Sequence, residues 1–326
     1  MRFVKLQTLL FWTLLGCVRS SEMTLSAEPP LTAEQKNQLE EAQSEMDIGR
    51  NMAGRILRLY GTHGDEGLTQ YVNEVGVLVS RSSDFSDRRY MFEIYKSDSV
   101  NAFACPGGYI LISLGAIKLA KSEAELAHIL GHEITHVGKK HMLKALQKMN
   151  KEELDRAAAK DTEQETPETV LIRKRPEPEE SLTGATLARY LTGNSAGFNV
   201  IKAAKAGMAL MLEKGLGAEL EFDADREGTR YAIQAGYHPK ALMNFLCRIE
   251  TSRGRPKSYC LSGGEVEQKP LTVLDKTHPK VPDRIVQIQG VLATLKADEI
   301  VGAYGKKRFK EAKKRLKNPE IGSEAL

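Results

Sequence analysis

The chain has 326 residues, 41% of them apolar, which is enough to bury one large core or two small ones. Its 47 basic and 43 acidic residues leave a net charge of only +4, which excludes the lopsided basic balance of a dedicated nucleic-acid binder. No stretch after the first twenty residues is long and uncharged enough to be a permanent membrane span; the best, residues 198–212, is broken by Lys202 and Lys205.

Residues 1–20 read as an export signal, with Arg2 and Lys5 in a positive n-region and Leu9-Leu10-Phe11-Trp12-Thr13-Leu14-Leu15 as a short apolar h-region. The segment ends in Leu14-Leu15-Gly16-Cys17, which resembles a bacterial lipobox whose cysteine is acylated after cleavage; ordinary cleavage near Val18-Arg19-Ser20 is the alternative. Either way the protein is expected to be exported, and the lipobox reading makes it a membrane-anchored periplasmic lipoprotein. Of the other cysteines, Cys247 and Cys260 are close enough in sequence to pair, which leaves Cys105 free.

A linker over residues 21–30 leads into the main domain, residues 31–300. Residues 31–60 have helical spacing, with Thr32 and Gln35 as a capping box, and a second helix covers about 67–80. Alternation of Tyr90, Phe92 and Ile94 predicts a strand over 89–96, and Tyr109-Ile110-Leu111-Ile112-Ser113, after the Pro106-Gly107-Gly108 turn, predicts another. Ser122-Glu123-Ala124-Glu125 opens a helix expected to run to about Leu146. Residues 151–182 are rich in Lys, Glu, Asp, Thr and Pro and read as an exposed charged insertion. Helical patterning resumes over 183–214, 218–235 and 239–252, and a last pair of helices follows Pro282. Residues 301–326 form a basic C-terminal tail, Lys306, Lys307, Arg308, Lys310, Lys313, Lys314, Arg315 and Lys317, read as a solvated helix face or a contact for an anionic membrane surface.

The chemistry centres on His132-Glu133-Ile134-Thr135-His136. Positions four apart share a helix face, so both imidazoles reach one ion, and the adjoining carboxylate is placed to take a proton from an attacking water. Neutral imidazole nitrogens suit Zn2+, one per chain, and a catalytic site leaves a coordination position open. His128 and His141 lie on the same stretch and read as packing or surface histidines. A third ligand is sought in the acidic helix Glu219-Leu220-Glu221-Phe222-Asp223-Ala224-Asp225, where Glu221 and Asp225 are four apart beside the small Ala224. Glu221 would bind metal and Asp225 would accept a hydrogen bond from a ligand imidazole; Glu219 competes with Glu221 on spacing alone.

With these residues the chain resembles the gluzincin metallopeptidases related to CAAX prenyl proteases, metallopeptidase family forty-eight, and within them the soluble exported bacterial branch. The resemblance covers about residues 35–145 and 205–290. It rests on Asn101-Ala102-Phe103-Ala104-Cys105-Pro106-Gly107-Gly108, on Glu123-Ala124-Glu125-Leu126-Ala127 leading into the histidine motif, on Glu221 with Asp225, and on Thr277-His278-Pro279 with Arg284. It implies a mostly helical α+β domain with a small sheet whose edge strand flanks the zinc helix, and it favours Glu221 over Glu219 as ligand. It also implies that Asn101 and the strand carrying Tyr109, Ile110 and Leu111 receive an extended substrate. His278 would approach the metal, to block it or to stabilise an oxyanion, and Arg284 would orient His278 or bind a substrate carboxylate. The implied activity is cleavage of internal peptide bonds in unfolded or misassembled envelope proteins, with no nucleic-acid partner. A zinc-retaining chaperone or assembly factor is the alternative.

Overall fold

The computed structural model describes residues 31–149, 151–160, 200–262 and 277–317. The export signal with Cys17, the linker, the insertion beyond residue 160 and the helical pattern at 183–199 lie outside the described residues.

A three-stranded mixed sheet sits between helical layers. Its strands are β1 (Met91–Tyr95), β2 (Ala102–Cys105) and β3 (Tyr109–Ser113), in the order β1-β3-β2, with β3 parallel to β1 and antiparallel to β2. Period-two alternation sorts their side chains between two cores. Phe92, Ile94, Ala104, Ile110 and Ile112 face one core, and Tyr95, Phe103, Cys105 and Leu111 face the other. The first is closed by α2 (Glu66–Arg81), α3 (Leu114–Leu119) and α4 (Glu123–Gly138), the second by α1 (Ala33–Tyr60) and α7 (Val200–Ala209). The expected mostly helical α+β architecture is what the chain adopts.

The predicted capping box forms on α1 and only half of it on α4. Thr32 and Gln35 form a reciprocal capping box on α1, with bonds of 2.8 and 3.2 Å. On α4, Ser122 Oγ accepts from the Glu125 N–H at 3.2 Å, but the Glu125 carboxylate turns outward to the Lys121 N–H at 2.8 Å and to Arg248. Glu123, also in the first turn, accepts from the hydroxyls of Tyr71 at 2.6 Å and Tyr237 at 3.0 Å. Carboxylates here also complement the positive end of the helix dipole.

The helix begun at Glu123 does not continue to Leu146. It ends at Gly138, Lys140 takes a left-handed backbone conformation (φ 55°), and α5 (His141–Gln147) starts in a new direction. A non-glycine residue in that conformation costs roughly 1–2 kcal/mol, and the Lys140 ammonium is held there by Glu45 at 3.1 Å.

After α6 (Lys151–Lys160) and α7, helix α8 (Ala218–Gln234) crosses α4, and α9 (Ala241–Ser252) packs beside it. Cys247 on α9 is disulfide-bonded to Cys260 on α10 (Tyr259–Ser262), and Cys105 is a free, fully buried thiol. Helix α11 (Val281–Thr294) starts with Pro282 in its first turn, and α12 (Lys306–Lys314) carries much of the basic run. Part of that run is tied to the body rather than free for a surface: Phe309 is buried, Arg308 donates to Glu123 at 3.0 Å, and Lys313 Nζ donates to the carbonyls of Lys118 and Ala120. Among the described residues no helix is long and apolar enough to cross a membrane.

His128 is completely buried, with Nε2 3.2 Å from the His238 carbonyl and Nδ1 without a partner. Protonating Nδ1 would bury an unbonded N–H, and burial accordingly lowers the His128 pKa to about 4. The unfolded chain takes up this proton near the ordinary value of about 6.5 and the folded one does not, so stability falls as pH drops from about 6.5 toward 4. The gap corresponds to roughly 3 kcal/mol over that window. His128→Gln keeps a donor for the carbonyl and removes the titration. Urea melts at pH 7 and pH 5 should therefore show a smaller acid-induced loss for the variant; an identical loss would contradict this reading.

Candidate active site

Every residue of α4 is buried, the unusual property that lets polar side chains mid-helix be enclosed by neighbours. The closest neighbour is α8. A Cβ at Gly131 would stand 2.6 Å from the Gly228 carbonyl oxygen, and one at Gly228 would stand 2.4 Å from the His132 nitrogen. The two helix backbones therefore touch, with Ala224 fully buried alongside. That close approach carries Glu221 and Asp225 onto the face of α4 that bears His132 and His136. A second close approach brings in the loop before α11: a Cβ at Gly215 would be 1.9 Å from the Thr277 carbonyl oxygen, so the backbone bearing His278 lies directly on this glycine.

Four side chains meet at one buried point. His132 Nε2 and His136 Nε2 are 3.0 Å apart. Glu221 Oε2 is 3.4 Å from His132 Nε2 and its Oε1 is 3.6 Å from His136 Nε2. His278 Nε2 is 3.3 Å from Glu221 Oε2, and its Nδ1 is bonded to the Thr277 hydroxyl at 2.9 Å. Donor atoms of His132, Glu221 and His278 lie within 4.8 Å of one another, a group able to hold a metal ion. Glu219, the competing carboxylate, is exposed, whereas Glu221 is buried.

The surroundings of these donors suit a cation. Asp225 Oδ1 is 2.9 Å from His132 Nδ1, and Arg284 grips the same carboxylate through Nε at 2.8 Å and a terminal nitrogen at 2.6 Å. The Arg284 guanidinium thus reaches the site through Asp225, and through that carboxylate it supports His132. Despite complete burial, the Asp225 carboxyl is held near 2 by Arg284, and the hydrogen bond that His132 makes to Asp225, with the negative charges of Asp225 and Glu221, outweighs burial to raise the His132 imidazole to about 10. Glu221 stays well below the usual carboxylate range because His278, His136 and His132 outweigh its burial. Burial lowers the His278 imidazole to about 4. Glu133 is buried too, and burial pushes its carboxyl above the usual range, partly offset by His132 and His136.

Two observations test whether these residues fit a metal. Glu221 Oε2 is buried with no hydrogen-bond partner, although two imidazole nitrogens stand at 3.4 and 3.3 Å. His132 and His136 turn the same ring nitrogen toward each other at 3.0 Å. Two nitrogens bound to one tetrahedral zinc at about 2.0–2.1 Å would be roughly 3.3 Å apart. Imidazole nitrogen with carboxylate oxygen is also a zinc donor set, so the residues fit the ion.

Two cavities open beside the donors, and Glu133 and His278 line both. One, of about 430 Å3, is walled by Leu242, Phe245, Leu246 and Ile249 of α9; the other, of about 350 Å3, runs past Phe103 and Ala104 toward Leu216. Asn101 and Ala102 line both. The strand along this cleft is therefore β2, and here the structure corrects the sequence reading. Tyr109, Ile110 and Leu111 belong to β3, the central strand, whose backbone is paired with β1 on one side and β2 on the other. Ile110 and Leu111 are buried, and no edge is left there for a peptide. On β2 the Asn101 carbonyl accepts from the Ser113 N–H at 3.0 Å, so by antiparallel alternation Ala102 and Ala104 turn their backbone groups to the outer edge, which among the described residues no strand pairs and which is therefore a free edge. Asn101 stays at the site as expected.

His141, read as a packing or surface residue, belongs to the interior. It is buried with Nδ1 3.0 Å from His136 Nδ1 and Nε2 3.3 Å from Asp223. Burial, with His136 and two nearby lysines, lowers its pKa to about 2, so it is neutral.

Known proteins resemble this one along the same segments. The model of Peptidase family M48 matches residues 66–292, which contain every site residue named above. The putative beta-barrel assembly-enhancing protease of Vibrio cholerae is 25% identical over 221 residues, covering 68% of this chain and 38% of that protein. The beta-barrel assembly-enhancing protease of Escherichia coli is 26% identical over 185 residues, covering 57% of this chain and 33% of that one. The mitochondrial metalloendopeptidase OMA1 of Schizosaccharomyces pombe is 32% identical over 73 residues, 22% of each chain. The chain thus spans about a third of the length of the bacterial relatives. A family match over most of the chain, on the residues that meet at one buried point, carries the assignment: this protein belongs to peptidase family M48.

Proposed function

We propose that the protein is a zinc-dependent endopeptidase in which His132, His136 and Glu221 hold one zinc ion and Glu133 is the general base. The observation that carries this is the convergence of imidazoles from α4 and a carboxylate from α8 at one buried point, with Glu133 facing the cleft beside it. When bound, zinc supplies Lewis-acid polarisation of a peptide carbonyl and eases deprotonation of water at neutral pH. The chain's own residues supply the rest. The free edge of β2 takes an extended backbone by strand addition, which binds peptide without regard to sequence. Glu133, its proton affinity raised by burial, accepts the proton of the attacking water and returns it to the leaving amine. Asp225, clamped by Arg284, holds His132 in the tautomer that leaves Nε2 facing the other donors. His278 lies across from Glu221; in this position it closes the site, and swung aside its ring N–H is available to a developing oxyanion.

The substrates proposed are misfolded or unassembled envelope proteins, met as extended segments outside the cytoplasm. The names of the bacterial relatives, the Cys247–Cys260 disulfide and the signal-like first twenty residues all support an oxidising, extracytoplasmic setting. Anchoring through Cys17 belongs to the same proposal. The full-length protein should cleave unfolded casein at internal bonds, lose this on treatment with a zinc chelator, and regain it with stoichiometric zinc. Prevention of aggregation without cleavage by the zinc-loaded protein would favour the chaperone reading, to which a site closed by His278 is suited.

A further inference from the structure

The two histidines of the motif are supported from behind by different devices. His132 leans on a carboxylate, Asp225, within the motif the family resemblance had already singled out. His136 leans on another imidazole, His141, and through it on Asp223, and neither of these has a role in the reading so far.

With His136 as a metal ligand, the proton positions along this line follow from geometry. His136 Nε2 faces His132 Nε2 at 3.0 Å and Glu221 Oε1 at 3.6 Å, so as a ligand it presents a lone pair there and carries its proton on Nδ1. That Nδ1 is 3.0 Å from His141 Nδ1. Two N–H groups cannot face each other at that distance, so His141 Nδ1 is the acceptor and the His141 proton sits on Nε2. Nε2 in turn lies 3.3 Å from Asp223 Oδ2. Asp223 is held in place by Lys139 Nζ at 2.8 Å and by Arg226. Each member fixes the next, from a salt bridge near the surface to a ligand nitrogen in the interior. The left-handed turn at Lys140 makes this possible, because it folds α5 back so that its first residue meets the end of α4.

We infer that His141 and Asp223 are positioning residues for the metal site: Asp223 sets the tautomer of His141, and His141 sets the tautomer and ring angle of His136. The inference rests on the zinc reading above and deepens it. A merely structural role for His141, filling space between α4 and α5, makes the opposite prediction about replacements: leucine would serve and asparagine would be worse. Under the inference asparagine serves better, since its side-chain oxygen can accept from His136 Nδ1 and leucine offers no acceptor.

The test is the zinc dissociation constant of the full-length protein, measured by competition with a chromophoric chelator, for wild type, His141→Leu, His141→Asn and Asp223→Ala. Melting temperatures in excess EDTA report folding independently of metal. His141→Leu should weaken zinc binding about 10–100-fold, the range for loss of a ligand's outer hydrogen-bond partner, and His141→Asn should recover most of that loss. Asp223→Ala changes a side chain near the surface and should weaken zinc binding by a smaller factor; it keeps the test alive if His141→Leu does not fold. Zinc affinity unchanged in both His141→Leu and Asp223→Ala, or leucine binding zinc as well as asparagine, overturns the inference. Failure of the wild type itself to bind zinc overturns the reading beneath it, which the same titration shows separately.

Discussion

Glu133→Gln should leave a folded, zinc-loaded protein that no longer cuts peptide bonds. The amide matches the carboxylate in shape, so packing against the donors is kept, but it cannot accept the proton of an attacking water. Positioned general bases contribute about 10²–10⁴-fold to rate, and a loss of that size is expected in kcat on an unfolded substrate. Folding should not suffer, because the substitution removes a buried acid whose charge is disfavoured there. Zinc per chain, melting temperature and kcat on the same preparation decide the matter. Retention of more than about a tenth of wild-type kcat, well above the range for a lost base, would remove Glu133 from that role.

Glu221→Ala acts one step earlier. It deletes the donor that comes from a different helix and leaves three imidazoles with no carboxylate among them. The loss of zinc affinity should exceed the roughly 10–100-fold attached to an outer partner, and activity should vanish with the metal. The fold should survive, since α8 is seated on α4 by Gly131, Gly228 and Ala224, none of which the substitution touches. Excess zinc in the assay should restore activity only in part, which separates weakened binding from a misfolded site.

How far the sequence disclosed this site depends on which physical signal each residue carries. His132 and His136 were legible because four-residue spacing on one helix is a local property that folding does not alter. Spacing also paired Glu221 with Asp225, but it left Glu219 in competition and only the resemblance favoured Glu221; the meeting with α4 was not legible at all, since it depends on Gly131 and Gly228, whose missing side chains matter only once two helices cross. The edge of the sheet was misplaced because strand propensity reports burial. Tyr109-Ile110-Leu111-Ile112-Ser113 is β-branched and apolar since β3 is covered on both faces and both sides, whereas Ala102-Phe103-Ala104-Cys105 lacks β-branched residues and still pairs as the edge. His141 was hidden by the helix break. On a continuous helix a residue five beyond His136 points well away from it, and nothing in Gly138-Lys139-Lys140 announces the left-handed turn that brings it back. His278 carries no local signal of its own, and only the resemblance pointed to it.

The proposed centre draws donors from separate segments onto one ion. Its most direct test is elemental analysis of zinc in full-length wild type and Glu221→Ala, each stripped with chelator, dialysed against one equivalent of zinc and freed of excess. The expected result is one zinc per chain in the wild type and almost none in the variant, both folded. A full equivalent of zinc retained by Glu221→Ala would show that the pair on α4 does not share its metal with α8, and the proposed centre would be wrong.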